Sequence, residues 1–190
     1  MLKVSVPKSE MWSDTLGRFI TIDKDYELNL EHSLIAISKW ESKWHKPFLS
    51  DEAKSYEETC DYIRCMNTTH GVPDEVFKLL PDSVIAEANE YIGDPATATW
   101  FNEAKKDGLP GRNKKEVITS EIVYYWMIEL NIPEAYAKWH FNRLMTLIKV
   151  INIKHEEADP NRKNKMSRNE ILAQNAKLNA ARRAAMHSKG

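Results

Sequence analysis

No apolar run in these 190 residues comes near the eighteen that a membrane-spanning helix needs, so none is predicted. Met1-Leu2-Lys3-Val4-Ser5-Val6-Pro7 holds no apolar stretch of secretory length either, and a cytoplasmic setting is expected. Cysteine is scarce. Cys60 and Cys65 stand five apart, neither a Cys-x-x-Cys redox pair nor a zinc spacing, and read as reduced structural thiols. Glycine is scarce too: six occur, and none sits in a Walker loop, a Gly-x-Gly-x-x-Gly turn or a Gly-x-Ser-x-Gly elbow. His32, His45, His70, His140, His155 and His187 make no His-x-x-x-His pair with one another and no metal spacing with a cysteine. Neither a metal nor any other cofactor is therefore expected. His140, beside Trp139, reads as a hydrogen-bonded core residue. The neighbouring carboxylates Glu57-Glu58, Asp61 and Glu156-Glu157 read as solvated helix faces rather than an acid–base pair. The sequence thus predicts a protein that is not an enzyme.

What the chain has is a division of charge. From Asn161 to Gly190 eight cations (Arg162, Lys163, Lys165, Arg168, Lys177, Arg182, Arg183 and Lys189) face one carboxylate, Glu170, a net of +7. The whole chain carries 27 Lys and Arg against 28 Asp and Glu, so residues 1–160 hold 19 against 27, a net of −8. A globular body with a basic arm follows. Docking on an acidic protein surface accounts for such an arm better than a merely solvated helix does. Nucleic acid ranks last, because the cations are only modestly clustered and no aromatics interleave with them for base stacking.

The pattern along the chain predicts three parts: a β-rich element over 1–30, a helical domain over 31–158, and a linker with a basic helix over 159–190. In the first, Leu2, Val4 and Val6 alternate with polar residues, and Phe19–Ile22 and Tyr26–Leu30 supply further strands of a hairpin or three-stranded sheet. Gly17 and Asp23-Lys24-Asp25 are its turns. A helix then carries Leu34, Ile37 and Trp44 on one face and stops before Pro47. Ser55-Tyr56-Glu57-Glu58 is a capping box that opens a helix to about Asn67. Pro73 begins a short helix to Leu80. Pro81-Asp82 begins another to Ile92, with Gly93 as its left-handed end. Thr97–Phe101 reads as a short extended piece. Two strong helices follow, one with Ile118, Ile122, Val123, Trp126 and Leu130, the next starting at Pro133 and carrying Tyr136, Trp139, Leu144, Leu147, Ile148 and Ile151. Trp126, Trp139, Leu144, Leu147 and Ile148 are expected to be buried, with a core cost of about 3–5 kcal/mol for Trp139→Ala. In the arm, Ser167-Arg168-Asn169-Glu170 is a second capping box, and Ile171, Leu178 and Ala185 form a thin stripe at heptad spacing. The fold class expected is mainly α, a helical bundle with a small N-terminal β element and a basic C-terminal helical arm.

Trp40 and Trp44, at i and i+4, are either stacked core residues or binding anchors partly exposed among Lys39, Lys43 and Lys46. With Arg168, Ile171, Lys177, Leu178, Arg182 and Arg183 they make up the candidate partner-binding set.

Several stretches resemble a known family: Leu30-Glu31-His32-Ser33-Leu34, Ser38-Lys39-Trp40-Glu41-Ser42-Lys43-Trp44, Lys46-Pro47-Phe48-Leu49 and Ala98-Thr99-Trp100-Phe101. Ile118–Ile128, Ile132-Pro133, Trp139–Ile148 and Met166–Gln174 add to it, whereas residues 1–27 match weakly. Together these resemble small proteins encoded among the tail genes of long-tailed bacteriophages (siphoviruses), the tail assembly chaperones. The resemblance implies a morphogenesis factor that binds the tape-measure and tail-tube proteins, or neighbouring copies of itself, in the host cytoplasm. A structural part of the virion, in the tail or at the head–tail connector and held by exchanged terminal arms, is the alternative. Neither a membrane nor nucleic acid is an expected partner.

Overall fold

The computed structural model describes residues 1–13, 17–101, 117–158 and 175–178. The fold is mainly α with a small β element. The chain divides into two compact units, Met1–Ile148 and Lys149–Gly190.

The first unit begins with four strands: β1 (Leu2–Val6), β2 (Ser9–Ser13), β3 (Arg18–Ile22) and β4 (Tyr26–Leu30). They form nested antiparallel pairs, β1 with β4 from Leu2↔Leu30 to Val6↔Tyr26, and β2 with β3 from Ser9↔Ile22 to Ser13↔Arg18. The element is thus one long two-stranded ribbon, not a three-stranded sheet. Between the pairs, Pro7-Lys8 opposes Asp23-Lys24-Asp25. That extra residue offsets the register as a bulge does. The amide of Lys8 donates to Asp25 Oδ1 across it at 2.8 Å. Val4, Val6, Ile20, Ile22, Leu28 and Leu30 are buried from the ribbon. An isolated hairpin is marginal in water. Here the base is stitched to the helices: Glu31 N–H donates to Met66 O at 2.9 Å and Thr68 N–H to Asn29 O at 2.8 Å. Strand β2 escaped the sequence reading because the side chains described along it, Ser9–Trp12, are all exposed, leaving no buried alternation to detect.

Helix α1 (Leu34–Trp44) is capped by Ser33, whose hydroxyl accepts from Ala36 N–H. It ends at His45, which is left-handed at φ 52°. Helix α2 (Tyr56–Met66) has the expected reciprocal box between Ser55 and Glu58. A 3-10 turn spans Asp74–Lys78 behind Pro73, and α3 spans Asp82–Gly93 behind Pro81. Gly93 is the last residue of α3 rather than its left-handed terminator. Its successor Asp94 has φ −62°, and the positive φ comes later, at Ala96. Thr97–Phe101 forms no strand.

Helix α4 (Ser120–Glu129) ends where expected, with Asn131 left-handed at φ 53°. The helix expected to run unbroken from Pro133 is interrupted. A 3-10 turn (Glu134–Lys138) leads to an extended Trp139, and α5 (Phe141–Ala158) starts afresh. The break is held by strand-like pairing of His140 with Ser33 and by Phe141 N–H donating to His32 O at 2.7 Å. Within the first unit α5 buries Phe141, Leu144 and Ile148, whereas Leu147 is half-buried. In the second unit α5 carries a Lys154–Glu157 ion pair, and residues 175–178 are helical. The linker expected at Asp159–Lys165 and the Ser167 capping box lie outside the described residues.

Three of the five expected core residues are corrected: Trp126, Trp139 and Leu147 are half-buried. The Trp139 ring stacks on Tyr136, centroids 4.1 Å apart and 14° from parallel, and the Arg143 guanidinium lies over the Trp139 ring at 4.2 Å from its centroid. Trp139→Ala should accordingly cost about 1–2 kcal/mol, the scale of a half-buried ring with one cation–π and one stacking contact, rather than the full core penalty. Thermal denaturation checks this.

Candidate functional site

Trp40 and Trp44 sit on the same side of α1, ring centroids 6.2 Å apart, and both face α2. Trp40 is 1% exposed, and its indole N–H donates to Glu58 O at 2.9 Å. Its ring meets Phe48 edge-on at 5.2 Å, with the Lys54 ammonium 5.7 Å away. Partial exposure is therefore corrected for Trp40: it is a core residue and offers a partner no surface in this fold. Trp44 is half-buried, and its indole donates to Asp61 Oδ2 at 2.8 Å.

The expected solvated carboxylate face of α2 is also corrected, because Glu58 and Asp61 are buried between the two helices and paired. Lys43 Nζ and Arg64 Nε approach Asp61 Oδ1 at 2.7 and 2.8 Å, and Lys46 Nζ approaches Glu58 Oε1 at 2.6 Å. Burial alone would raise the Asp61 carboxyl. The hydrogen bonds from Lys43, Arg64 and Trp44 outweigh it and hold the group below the ordinary carboxylate range. The Glu58 carboxyl is lowered by Lys46 and by the Ser55 amide. These carboxylates fasten helices together.

Glu41 makes a different joint. It is buried, and its two oxygens accept from two backbone amides, Phe48 N–H at 2.8 Å and Ser120 N–H at 2.8 Å. Thr119, the residue before α4, makes no side-chain cap. A carboxylate from α1 therefore caps α4, where the helix dipole favours negative charge. An open polar cleft lies over this junction, lined by Glu41, His45, Lys46, Thr119 and Glu121 among others. Glu41 and Lys46 are already engaged within the fold. Glu41→Gln keeps one acceptor oxygen and sets an amide NH2 against the second N–H, so it should destabilise by about 2–3 kcal/mol in urea denaturation.

A third buried cluster joins four elements. His32 Nδ1 lies 2.5 Å from the Tyr62 hydroxyl, and its ring centroid is 5.0 Å from that of His140. His140 Nε2 lies 3.0 Å from Tyr91 O, so Nε2 carries the proton and donates. The unprotonated His140 Nδ1 is buried with no protein partner among the described residues. Burial, then the proximity of His140, depresses His32 to about 3, and burial holds the Tyr62 phenol well above its ordinary value. Both groups are neutral at pH 7, with the phenol able to donate to the ring. His140 is thus the hydrogen-bonded core residue that was expected. Cys60 and Cys65 are buried thiols, raised by desolvation. Among the described residues no group of three or more His, Cys, Asp or Glu could hold a metal ion.

Of the candidate residues on the arm, Lys177 and Leu178 fall in the helical stretch 175–178, with Leu178 51% exposed. Arg168, Ile171, Arg182 and Arg183 lie outside the described residues. Two surfaces were not singled out in the sequence. The far end of the ribbon exposes Met11, Trp12 and Phe19 by 53%, 50% and 59%, with the Trp12 and Phe19 rings edge to face at 5.1 Å. Helix α4 exposes Tyr125 by 59% and Ile128 by 77%. The second had a signal, since Ile122–Ile128 is apolar or aromatic at every position and no single helix face can bury all of it. Compared with known proteins, the chain matches no family model, no curated protein and no solved structure.

Proposed function

We propose that this chain is a tail morphogenesis factor of a long-tailed bacteriophage, a non-enzymatic assembly chaperone acting on the tape-measure and tail-tube proteins in the host cytoplasm. The reading rests on the resemblance of the segments from Leu30 to Gln174 to such proteins. The observation that carries it is the end of the N-terminal ribbon, where Met11, Trp12 and Phe19 stand half or more exposed. Large aromatics in such positions anchor protein–protein contacts, and a tape-measure helix that is prone to aggregate when bare offers an apolar stripe to cover. The buried charges favour the same class of function. Asp61, Glu58 and Glu41 are held by lysines, an arginine and backbone amides, a role in fastening helices.

The second reading, a part of the tail or the head–tail connector, draws on the same ribbon as an arm exchanged between subunits. Mass spectrometry of purified particles separates the two. A chaperone is absent from them or present in far less than one copy per tube ring. A fixed whole-number ratio to the tail-tube protein would replace the chaperone reading with the structural one.

A further inference from the structure

Helix α4 presents an outward ridge whose chemistry mirrors that of the basic C-terminal segment. Glu121, Tyr125, Ile128 and Glu129 share one side of the helix at i, i+4, i+7 and i+8, and Tyr125 and Ile128 remain 59% and 77% exposed in the single chain. The ridge is thus apolar in the middle and acidic at both ends, and α4 carries no lysine or arginine. Glu134, exposed just beyond, adds to its field: after burial, it is the cause that raises the neighbouring Tyr124 phenol.

Residues 161–190 carry the complement. Their net charge is +7, and Ile171, Leu178 and Ala185 repeat at heptad spacing as a thin apolar line among cations. We propose that the α4 ridge is the docking site for residues 161–190 of a second copy of this chain, the apolar line against Tyr125 and Ile128 and the cations against Glu121 and Glu129. The occupant is assigned to another copy, and mixed cross-linking of differently tagged copies distinguishes it from a segment of the same chain. Each copy offers one ridge and one basic segment, two different surfaces. The contact therefore either closes as a reciprocal exchange between two copies or repeats head to tail into a larger ring or a filament.

The ten residues of α4 span about 15 Å, short of what a standard interface covers, so a single contact is weak and its strength comes from repetition. Opposite charges set its salt dependence, because the screening length falls from about 10 Å at 0.1 M salt to about 3 Å at 1 M. This inference stands apart from the tail assignment, since self-association is measured with the purified chain alone.

The test uses the full chain in sedimentation velocity. Concentration-dependent association should appear at low salt and vanish near 1 M. Glu121→Lys with Glu129→Lys, both at exposed positions, should weaken it at least tenfold while the circular dichroism spectrum stays unchanged. In a disulfide trap, Ile128→Cys copies mixed with differently tagged Ile171→Cys, Leu178→Cys or Ala185→Cys copies should give a mixed cross-linked dimer from at least one pairing. The native Cys60 and Cys65 are buried and should not interfere. A chain that stays monomeric at every concentration and salt overturns the proposal, as does association that ignores the α4 reversals. Absence of every mixed dimer, as expected if residues 102–116 of the same chain cover the ridge, overturns it too. So does a basic segment that binds duplex DNA with a steep salt slope while the trap stays empty.

Discussion

Lowering the pH from 7 to 4 should cost the folded chain about 3 kcal/mol through His32 alone. The group titrates near 6.5 when unfolded and about 3 when folded, because it is 2% exposed and lies beside His140. Below pH 6.5 the unfolded chain binds a proton that the folded chain refuses until about pH 3, so stability falls throughout that window. The slope is about 1.4 kcal/mol per pH unit once the unfolded imidazole is charged, and the full shift amounts to roughly 4–5 kcal/mol. The groups around the ring supply no counter-charge: Tyr62 is a neutral phenol, and His140 donates its proton to the Tyr91 carbonyl. The depressed carboxyls of Asp61 and Glu58 add to the loss at lower pH, since their contribution disappears as they protonate. Urea denaturation at a series of pH values reads the slope. His32→Asn keeps a group within reach of the Tyr62 hydroxyl but cannot be protonated. It should lower stability at pH 7 and flatten the profile between pH 6.5 and 4.5. An unchanged slope in that variant would place the acid sensitivity elsewhere.

Trp40→Ala should destabilise by about 3–5 kcal/mol, the range for removing a large aromatic from a close-packed core. The ring is 1% exposed, packs on Phe48 and Trp44, and bonds Glu58 O through its indole nitrogen. For a chain of this length that loss lowers the melting temperature by about 10 °C. Trp40→Phe keeps most of the volume but leaves the Glu58 carbonyl without its indole donor, and should cost about 1–2 kcal/mol beyond the lost ring area. Because Trp40 is sealed in the core, a variant that loses partner binding while keeping its melting temperature would contradict this placement.

These two residues also mark what could be read from the chain. Local signals were legible: the Ser55–Glu58 box, the stop before Pro47 and the break at Asn131-Ile132-Pro133 all depend on neighbours within a few residues. Signals that depend on distant partners were not. Nothing around Trp139 tells that Phe141 N–H will bond His32 O and restart the helix, so a 3.6-residue pattern was read straight through the break. The role of Glu41 left no local signal, because its two amide donors lie 7 and 79 residues away. Glu58 and Asp61 were read as solvated for the same reason, since Lys43 reaches Asp61 from α1 and Lys46 reaches Glu58 from the loop after it. Strand β2 is exposed wherever it is described, and exposed strands leave no pattern of burial. Of the candidate site, the Trp40–Trp44 pair was legible as a pair, whereas the exposed ridge of α4 was not singled out.

Co-expression with a tape-measure protein of a long-tailed bacteriophage tests the proposed role in tail assembly most directly. The account predicts that the tape-measure protein, insoluble by itself, becomes soluble and co-purifies with this chain, and that Trp12→Ser with Phe19→Ser abolishes the effect while leaving the melting temperature within a few degrees of the parent's. A tape-measure protein that stays insoluble, or that is solubilised equally by the double variant, would contradict it.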